Sequence, residues 1–299
     1  MKSIKKYLSL IKFSHTIFAM PFALIGFVLG FQYLQNNHLY FTKNNFNFYL
    51  LSSKLLLVVI CMVTARSAAM AFNRYLDYKF DAKNPRTSIR EIPSGTIKPF
   101  NALVFTVACC FAFIATCFFI NKLCFYLSFV ALFVILFYSY TKRFTALCHL
   151  VLGLGLSLAP IGSYLAITGV FQIIPLMFSF IVMCWVSGFD IIYALQDEEF
   201  DKSNQLHSIP VLMGKKNALI VSSILHSIAI IIVIYAGVSM HSSYWFWTGT
   251  AVFCAMLLYQ HSIVKPEDLS KVNIAFMTAN GIASVVFSIF VIIDLLVNK

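Results

Sequence analysis

Acidic residues are scarce in this chain. Only 11 Asp and Glu stand among its 299 residues, and charged residues of both signs make up 11%, where a soluble domain carries about 25%. A surface with so few charges is not solvated, which excludes a soluble enzyme and a disordered polar tail. CxxC pairs are missing as well. Cys61, Cys109, Cys110, Cys117, Cys148, Cys184 and Cys254 lie in apolar segments and read as free core thiols rather than a disulfide or metal framework. No small-residue cleavage site interrupts the basic start MKSIKKYLSLIKFSHTIF, whose apolar run continues through Leu34. It reads as a retained first helix.

Hydrophobic residues, by contrast, make up 60% and mean hydropathy is +0.85. Charge-free runs such as Pro99 to Asn121 are long enough to cross the ~30 Å hydrocarbon layer as helices, which sets a β-barrel aside. Cutting at polar and Gly/Pro breaks gives about nine spans, at 13–34, 50–72, 100–120, 123–140, 146–168, 175–196, 217–238, 244–263 and 273–297. No soluble domain fits between them. The expectation is an all-α, polytopic membrane protein, a bundle of about nine transmembrane helices forming one domain over 1–299.

The 22 Lys and Arg give a net charge of +11, which in so apolar a chain sets topology rather than binding nucleic acid. One set of span ends holds Lys2, Lys5, Lys6, Lys12, Arg74, Lys79, Lys83, Arg86, Arg90, Lys98, Lys142, Arg143, Lys202, Lys215, Lys216, Lys265 and Lys271; the other holds Lys43, Lys54, Lys122 and Lys299. The richer set is expected in the cytoplasm of a bacterium, beneath its inner membrane. Arg66 falls inside the second span.

All the acids except Asp294 lie in three places, and two of these have a pattern. In NRYLDYKFD, the spacing of four places Asn73, Asp77 and Asp81 on one helical face. In DIIYALQDEEFD, Tyr193, Asp197 and Asp201 repeat that spacing after Asp190. Each motif is a DxxxD on the basic side, and the two are four spans apart, which hints at an internal duplication. Carboxylates a turn apart repel and need a counter-charge. Hard oxygen ligands of this kind suit Mg²⁺ held jointly with a phosphate; solvated helix ends are the plainer alternative. Arg66, Arg74, Lys79, Arg86, Arg90, Lys142 and Arg143 lie at the same face. Arg66 is seven residues before Asn73, where it either serves a ligand or pairs with Asp190 across helices. Lys142 and Arg143 either meet a ligand or anchor the topology. A cation-coupled transporter would also use an intramembrane Arg66 and Asp190, yet it leaves the paired motifs unexplained.

NRYLDYKFDAKNPRTSIREIPSG and YALQDEEFDKSNQLHSIPVLMG, with YSYTKRFT between them and SHTIFAMPFALIG in the first span, resemble the UbiA family of intramembrane aromatic prenyltransferases. The resemblance covers nearly the whole chain. It implies a helical bundle with a cytoplasm-facing pocket in which Mg²⁺ binds a polyprenyl diphosphate and an aromatic acid is alkylated. Asn73, Asp77, Asp81, Asp197 and Asp201 match the metal and catalytic motifs. Arg74, Arg86, Tyr138 and Lys142 match groups around the diphosphate, the last two as a YxxxK element. Asp190 matches an acid near the acceptor, and Arg66 and Tyr193 join it as expected acceptor contacts. Where the commonest first motif reads NDxxDxxxD, this chain has Arg74 after the asparagine, one carboxylate fewer. His207 is expected to order the loop after the second motif; His15 and His149 are expected to bond backbone groups. The implied acceptor is 4-hydroxybenzoate, or a dihydroxynaphthoate on a menaquinone route.

Overall fold

The computed structural model describes residues 2–12, 18–37, 41–42, 45–46 and 48–298. His15, Lys43 and Lys299 lie outside the described residues. The helices are α1 Lys2–Leu10, α2 Met20–Asn36, α3 Phe48–Lys83, α4 Pro99–Ile120, α5 Lys122–Thr141, α6 Cys148–Thr168, α7 Ile173–Ala194, α8 Glu198–Ser203, α9 Ile209–Ser239, α10 Tyr244–Ile263 and α11 Asn280–Val297. A pair of two-residue strands, Phe41–Thr42 and Asn45–Phe46, precedes α3.

Helix ends follow local chemistry. Pro99 opens α4, where a missing N–H costs nothing. The Asn121 side chain accepts from Cys124 N at 2.8 Å and starts α5. Gly169, at φ +68°, closes α6 in the left-handed conformation that glycine adopts without strain. Among the described residues seven helices are long and apolar enough to cross a membrane: those beginning at Leu51, Pro99, Lys122, Cys148, Ile173, Ile209 and Ile274. The expected count of nine is not reached by that measure. Helix α2 has 17 residues, and α10 is diluted by Tyr244, Trp245, Trp247, Tyr259, Gln260 and His261.

The bundle is built around α7. In its most apolar window 67% of residues are buried, against 17% in α5, so α7 is the axis and α5 lies outside. It packs between α6 and α9, with Ile181, Val182, Trp185 and Phe178 buried among Phe22, Phe253 and Phe287. The outer faces of α4 and α5 expose Phe111, Phe118, Phe119, Phe129 and Phe133. Such a surface suits lipid, since soluble proteins rarely leave large contiguous apolar patches open to water. Close backbone approach fixes α2 on α6: a Cβ at Gly26 would stand 2.0 Å from Pro160 O, so only glycine fits there.

One polar hub lies inside this apolar core. Asn280 Oδ1 accepts from Trp185 Nε1 at 2.9 Å and from Gln260 Nε2 at 2.8 Å. Its Nδ2 donates to Ala275 O and Phe276 O, both at 3.1 Å. The side chain thereby engages carbonyls of the preceding turn, and the backbone widens there into a π-helix over Ile274–Ala279.

Candidate active site

Helix α3 continues eleven residues beyond the expected span end at 72 and carries the first motif on its final turns. The apolar run sets where the lipid ends; helix-forming residues such as Arg74, Leu76 and Lys79 carry the helix past it. The second motif sits where α7 tightens into a 3₁₀ turn at Leu195–Asp197 and resumes as α8. Both motifs open onto one cavity of about 790 Å³. It runs from Asp77, Asp81, Asp197 and Asp201 inward past Arg66 and Asp190 to Ile120 and Ala166 near the far helix ends.

Each motif carboxylate meets a cation. Arg90 Nη1 lies 2.6 Å from Asp81 Oδ1, and Arg74 Nη1 lies 3.9 Å from Asp81 Oδ2. Arg143 Nη2 is 2.9 Å from Asp77 Oδ1 and 3.0 Å from Leu76 O. Lys142 Nζ lies 2.8 Å from Asp201 Oδ2, a charge contact rather than an aligned hydrogen bond. Arg86 grips Asp197 with Nε and Nη2, at 3.1 and 2.5 Å. Its Nη1 donates to Tyr193 Oη at 2.8 Å, and Asn84 Nδ2 adds a bond to Asp197 Oδ1 at 3.3 Å. Burial opposes the charge on Arg86, but Asp197 and Tyr193 outweigh it and raise the guanidinium pKa above its ordinary value. Lys142 behaves alike: burial lowers its pKa, Asp201 and Asp197 raise it, and the net shift is upward. Both remain charged throughout the neutral range.

The arrangement suits a cation that shares its shell with phosphate. Among the described residues Asp81 Oδ2 is buried without a hydrogen bond, with Arg74 no nearer than 3.9 Å, and such an oxygen leaves room for a closer partner. Asn73 Nδ2 donates to Asp77 Oδ2 at 3.0 Å. Among the described residues no three His, Cys, Asp or Glu side chains form a ready cage. Pairs of carboxylates completed by phosphate oxygens and water fit Mg²⁺ better than an all-protein site.

Deeper in the cavity, Arg66 Nε is buried with no hydrogen-bond partner among the described residues. The alternative pairing of Arg66 with Asp190 is not formed: Asp190 Oδ2 is 2.7 Å from His149 Nδ1 instead. The expectation for His149 is corrected in the same way, since only its Nε2 meets backbone, at Ile209 N, 3.4 Å away. Tyr138 lines the cavity beside these groups. Tyr193, expected at the acceptor, has its hydroxyl engaged by Arg86 and its ring 4.2 Å from that of Phe276. His207 ties its loop to the site through its backbone N–H on Lys142 O at 2.7 Å, with its side chain exposed. Sequence reasoning gave Asn84 no role, set Arg90 only among the cations of the motif-bearing face, left Arg143 between ligand contact and topology anchor, and expected only backbone bonds of His149. Arg90 and Arg143 had one signal, their charge at the motif-bearing face; Asn84 and His149 had none.

A family model described as the UbiA prenyltransferase family matches residues 19–282. The chain is similar to the 4-hydroxybenzoate octaprenyltransferase of Francisella tularensis subsp. mediasiatica (strain FSC147), at 27% identity over 240 residues, covering 80% of this chain and 84% of the relative. It is similar to the enzyme of the same name from Aeromonas salmonicida (strain A449), at 27% over 233 residues, 78% and 80% of the two chains. Among solved structures, the apo UbiA homolog from Aeropyrum pernix K1 superposes with a TM-score of 0.80 at 26% identity, over 94% of this chain and 98% of that one. A UbiA homolog from Archaeoglobus fulgidus bound to GPP and Mg²⁺ shares the fold, with a TM-score of 0.73 at 22% identity over 98% and 100% of the chains.

Proposed function

The chain belongs to the UbiA prenyltransferase family, and from that membership we propose that it transfers a polyprenyl group from its diphosphate to an aromatic acid, 4-hydroxybenzoate, in respiratory quinone biosynthesis. The observation that carries this reading is the meeting of two DxxxD motifs at the mouth of one cavity, ringed by Arg74, Arg86, Arg90, Lys142 and Arg143. The curated relatives bear the name of that activity. Membership of the family removes the transporter alternative.

Breaking the allylic C–O bond sends its electron pair to the diphosphate and leaves a dispersed allylic cation. Groups that stabilise the departing anion lower the barrier, and they act strongly where water is excluded. Mg²⁺ held by Asn73, Asp77, Asp81, Asp197 and Asp201 would supply charge neutralisation to the leaving group. Arg74, Arg86 and Lys142 bind diphosphate oxygens; Arg86 and Lys142 change partner from carboxylate to phosphate as the donor enters. Phe189, Tyr193 and Phe276 line the cavity and shield the cation from water, with aromatic rings that favour positive charge. Arg66, seven residues deeper on α3 than Asn73, holds the acceptor carboxylate. The excess of Lys and Arg in the loops beside the motifs supports a cytoplasmic diphosphate end for a bundle in a bacterial inner membrane.

The test is incubation of membranes carrying the protein with labelled polyprenyl diphosphate, Mg²⁺ and a panel of aromatic acids. Labelled product with 4-hydroxybenzoate supports the reading. Product with a dihydroxynaphthoate alone moves the acceptor to the menaquinone route, and no aromatic product with any acid overturns the proposal.

A further inference from the structure

His149 lies on the first turn of α6, and Asp190 on α7, seven residues before Asp197. The imidazole is 2% exposed. Its Nε2 accepts the Ile209 N–H at 3.4 Å, so the proton of the neutral ring belongs on Nδ1, which is 2.7 Å from Asp190 Oδ2. Asp190 is thus held by one oxygen. Its other oxygen, Oδ1, carries no hydrogen bond among the described residues, and the side chain, 17% exposed, borders the cavity. Arg66 on α3 and Asp190 on α7 line the same cavity. An acceptor gripped by Arg66 therefore shares that cavity with the free Asp190 oxygen.

Aromatic prenylation releases a proton, and the diphosphate site supplies no free base, since each motif carboxylate is paired with a cation. We infer that Asp190 and His149 form the proton-accepting dyad of the transfer step, with Asp190 Oδ1 taking the hydrogen displaced from the acceptor ring and His149 serving as the residue that positions it. The inference rests on the aromatic prenyl-transfer reading above. The allylic C–O bond breaks with its pair going to diphosphate, and an acceptor ring carbon forms the new C–C bond. The C–H bond at that carbon then breaks; its electron pair restores the aromatic ring and the proton passes to Asp190 Oδ1. His149 Nδ1–H stays on Oδ2 throughout, fixing the direction of the other lone pairs. The proton leaves afterwards to water at the cavity mouth.

A purely structural pair would join α6 to α7 and pin the start of α9, with no bearing on proton removal. The two roles separate with ring-deuterated acceptor. In His149→Met, which fills the volume but has no donor, kcat is expected to fall about ten-fold or more while acceptor KM and the affinity for a non-cleavable prenyl thiodiphosphate stay within about two-fold. A deuterium isotope effect on kcat, near unity in the parent, should appear as proton removal becomes slow. His149→Asn places an amide donor near the Nδ1 position and should restore kcat and suppress the isotope effect. Asp190→Asn still accepts the His149 bond, so it guards against a folding artefact in His149→Met; it should bind the thiodiphosphate normally and lose transfer. Full activity in Asp190→Asn, or a fall in His149→Met with no isotope effect and no rescue by His149→Asn, overturns the dyad while leaving the prenyl-transfer reading intact. A parent protein that alkylates no aromatic acid overturns that reading and the dyad with it.

Discussion

Arg86 closes on Asp197 with both arms of its guanidinium, Nε to Oδ1 at 3.1 Å and Nη2 to Oδ2 at 2.5 Å. The fork joins the segment after α3 to the second motif, on the opposite side of the cavity mouth. It covers both oxygens that a cation would use, so in the proposed reaction metal and Arg86 would compete for Asp197 until a diphosphate gave the arginine another anion.

That competition has opposite signs for two ligands. Arg86→Met should tighten the binding of Mn²⁺ alone, read by its electron paramagnetic resonance, because the competing fork is gone. The same variant should raise donor KM by about ten- to a hundred-fold, the worth of a charge-assisted contact of roughly 1.5–3 kcal/mol. If both affinities move together, Arg86 does not switch between carboxylate and phosphate.

Asp77→Ala and Asp197→Ala should each reduce transfer to background in a protein that still elutes as a single species in detergent, since each removes oxygen ligands at the cavity mouth rather than core packing. EDTA should abolish activity and excess Mg²⁺ restore it. Activity that survives either variant at normal expression counts against metal-assisted diphosphate departure.

Arg66→Leu should leave stability intact, because it removes a buried Nε that has no hydrogen-bond partner among the described residues. Its cost should fall on the acceptor: kcat/KM for carboxylated acids down about ten- to a hundred-fold, donor KM unchanged. A raised donor KM with an unaltered acceptor KM would place Arg66 at the diphosphate instead.

Replacing Asn280 by Leu strands Trp185 Nε1 and Gln260 Nε2 inside the bundle. Two unsatisfied buried donors cost roughly 2–6 kcal/mol, so the detergent-solubilised protein should lose thermal stability while donor affinity below its melting point is unchanged. An unchanged melting temperature would mean that the hub does not hold α7, α10 and α11 together.

Sidedness can be read with an impermeant thiol reagent on a chain stripped of its eight cysteines. A cysteine at Ser203 should label from the cytoplasm and one at exposed Val170, at the other end of α6, from outside. The reverse pattern inverts the topology.

The parts of the site legible in the sequence are those written within one helix. Asn73, Asp77 and Asp81 share a face because their spacing is the helical repeat, and the long charge-free runs already demanded a membrane bundle. What crosses between elements was not written in any local pattern. Arg90 reaches Asp81 by a turn after α3, Arg143 reaches back to α3 from the end of α5, and His149 finds Asp190 on a neighbouring helix. The π-helix before Asn280 is a tertiary product too: a side chain bonded to Trp185 and Gln260 sets the backbone, and no periodicity announces it. Helix α3 was placed by its apolar stretch, but hydropathy is silent about how far a helix runs on into polar surroundings.

That extra length has a bearing on how substrate arrives. Thirty-six residues from Phe48 to Lys83 make a rod of about 54 Å, against hydrocarbon of about 30 Å. Its last turns, with Asp77 and Asp81, therefore stand at the level of the lipid headgroups. In the proposed reaction a donor whose chain is dissolved in the leaflet carries its own diphosphate at that level, so the two meet without either leaving its layer. Capture becomes a search over a plane rather than through a volume, and the supply of donor is set by its density in the leaflet and its lateral diffusion.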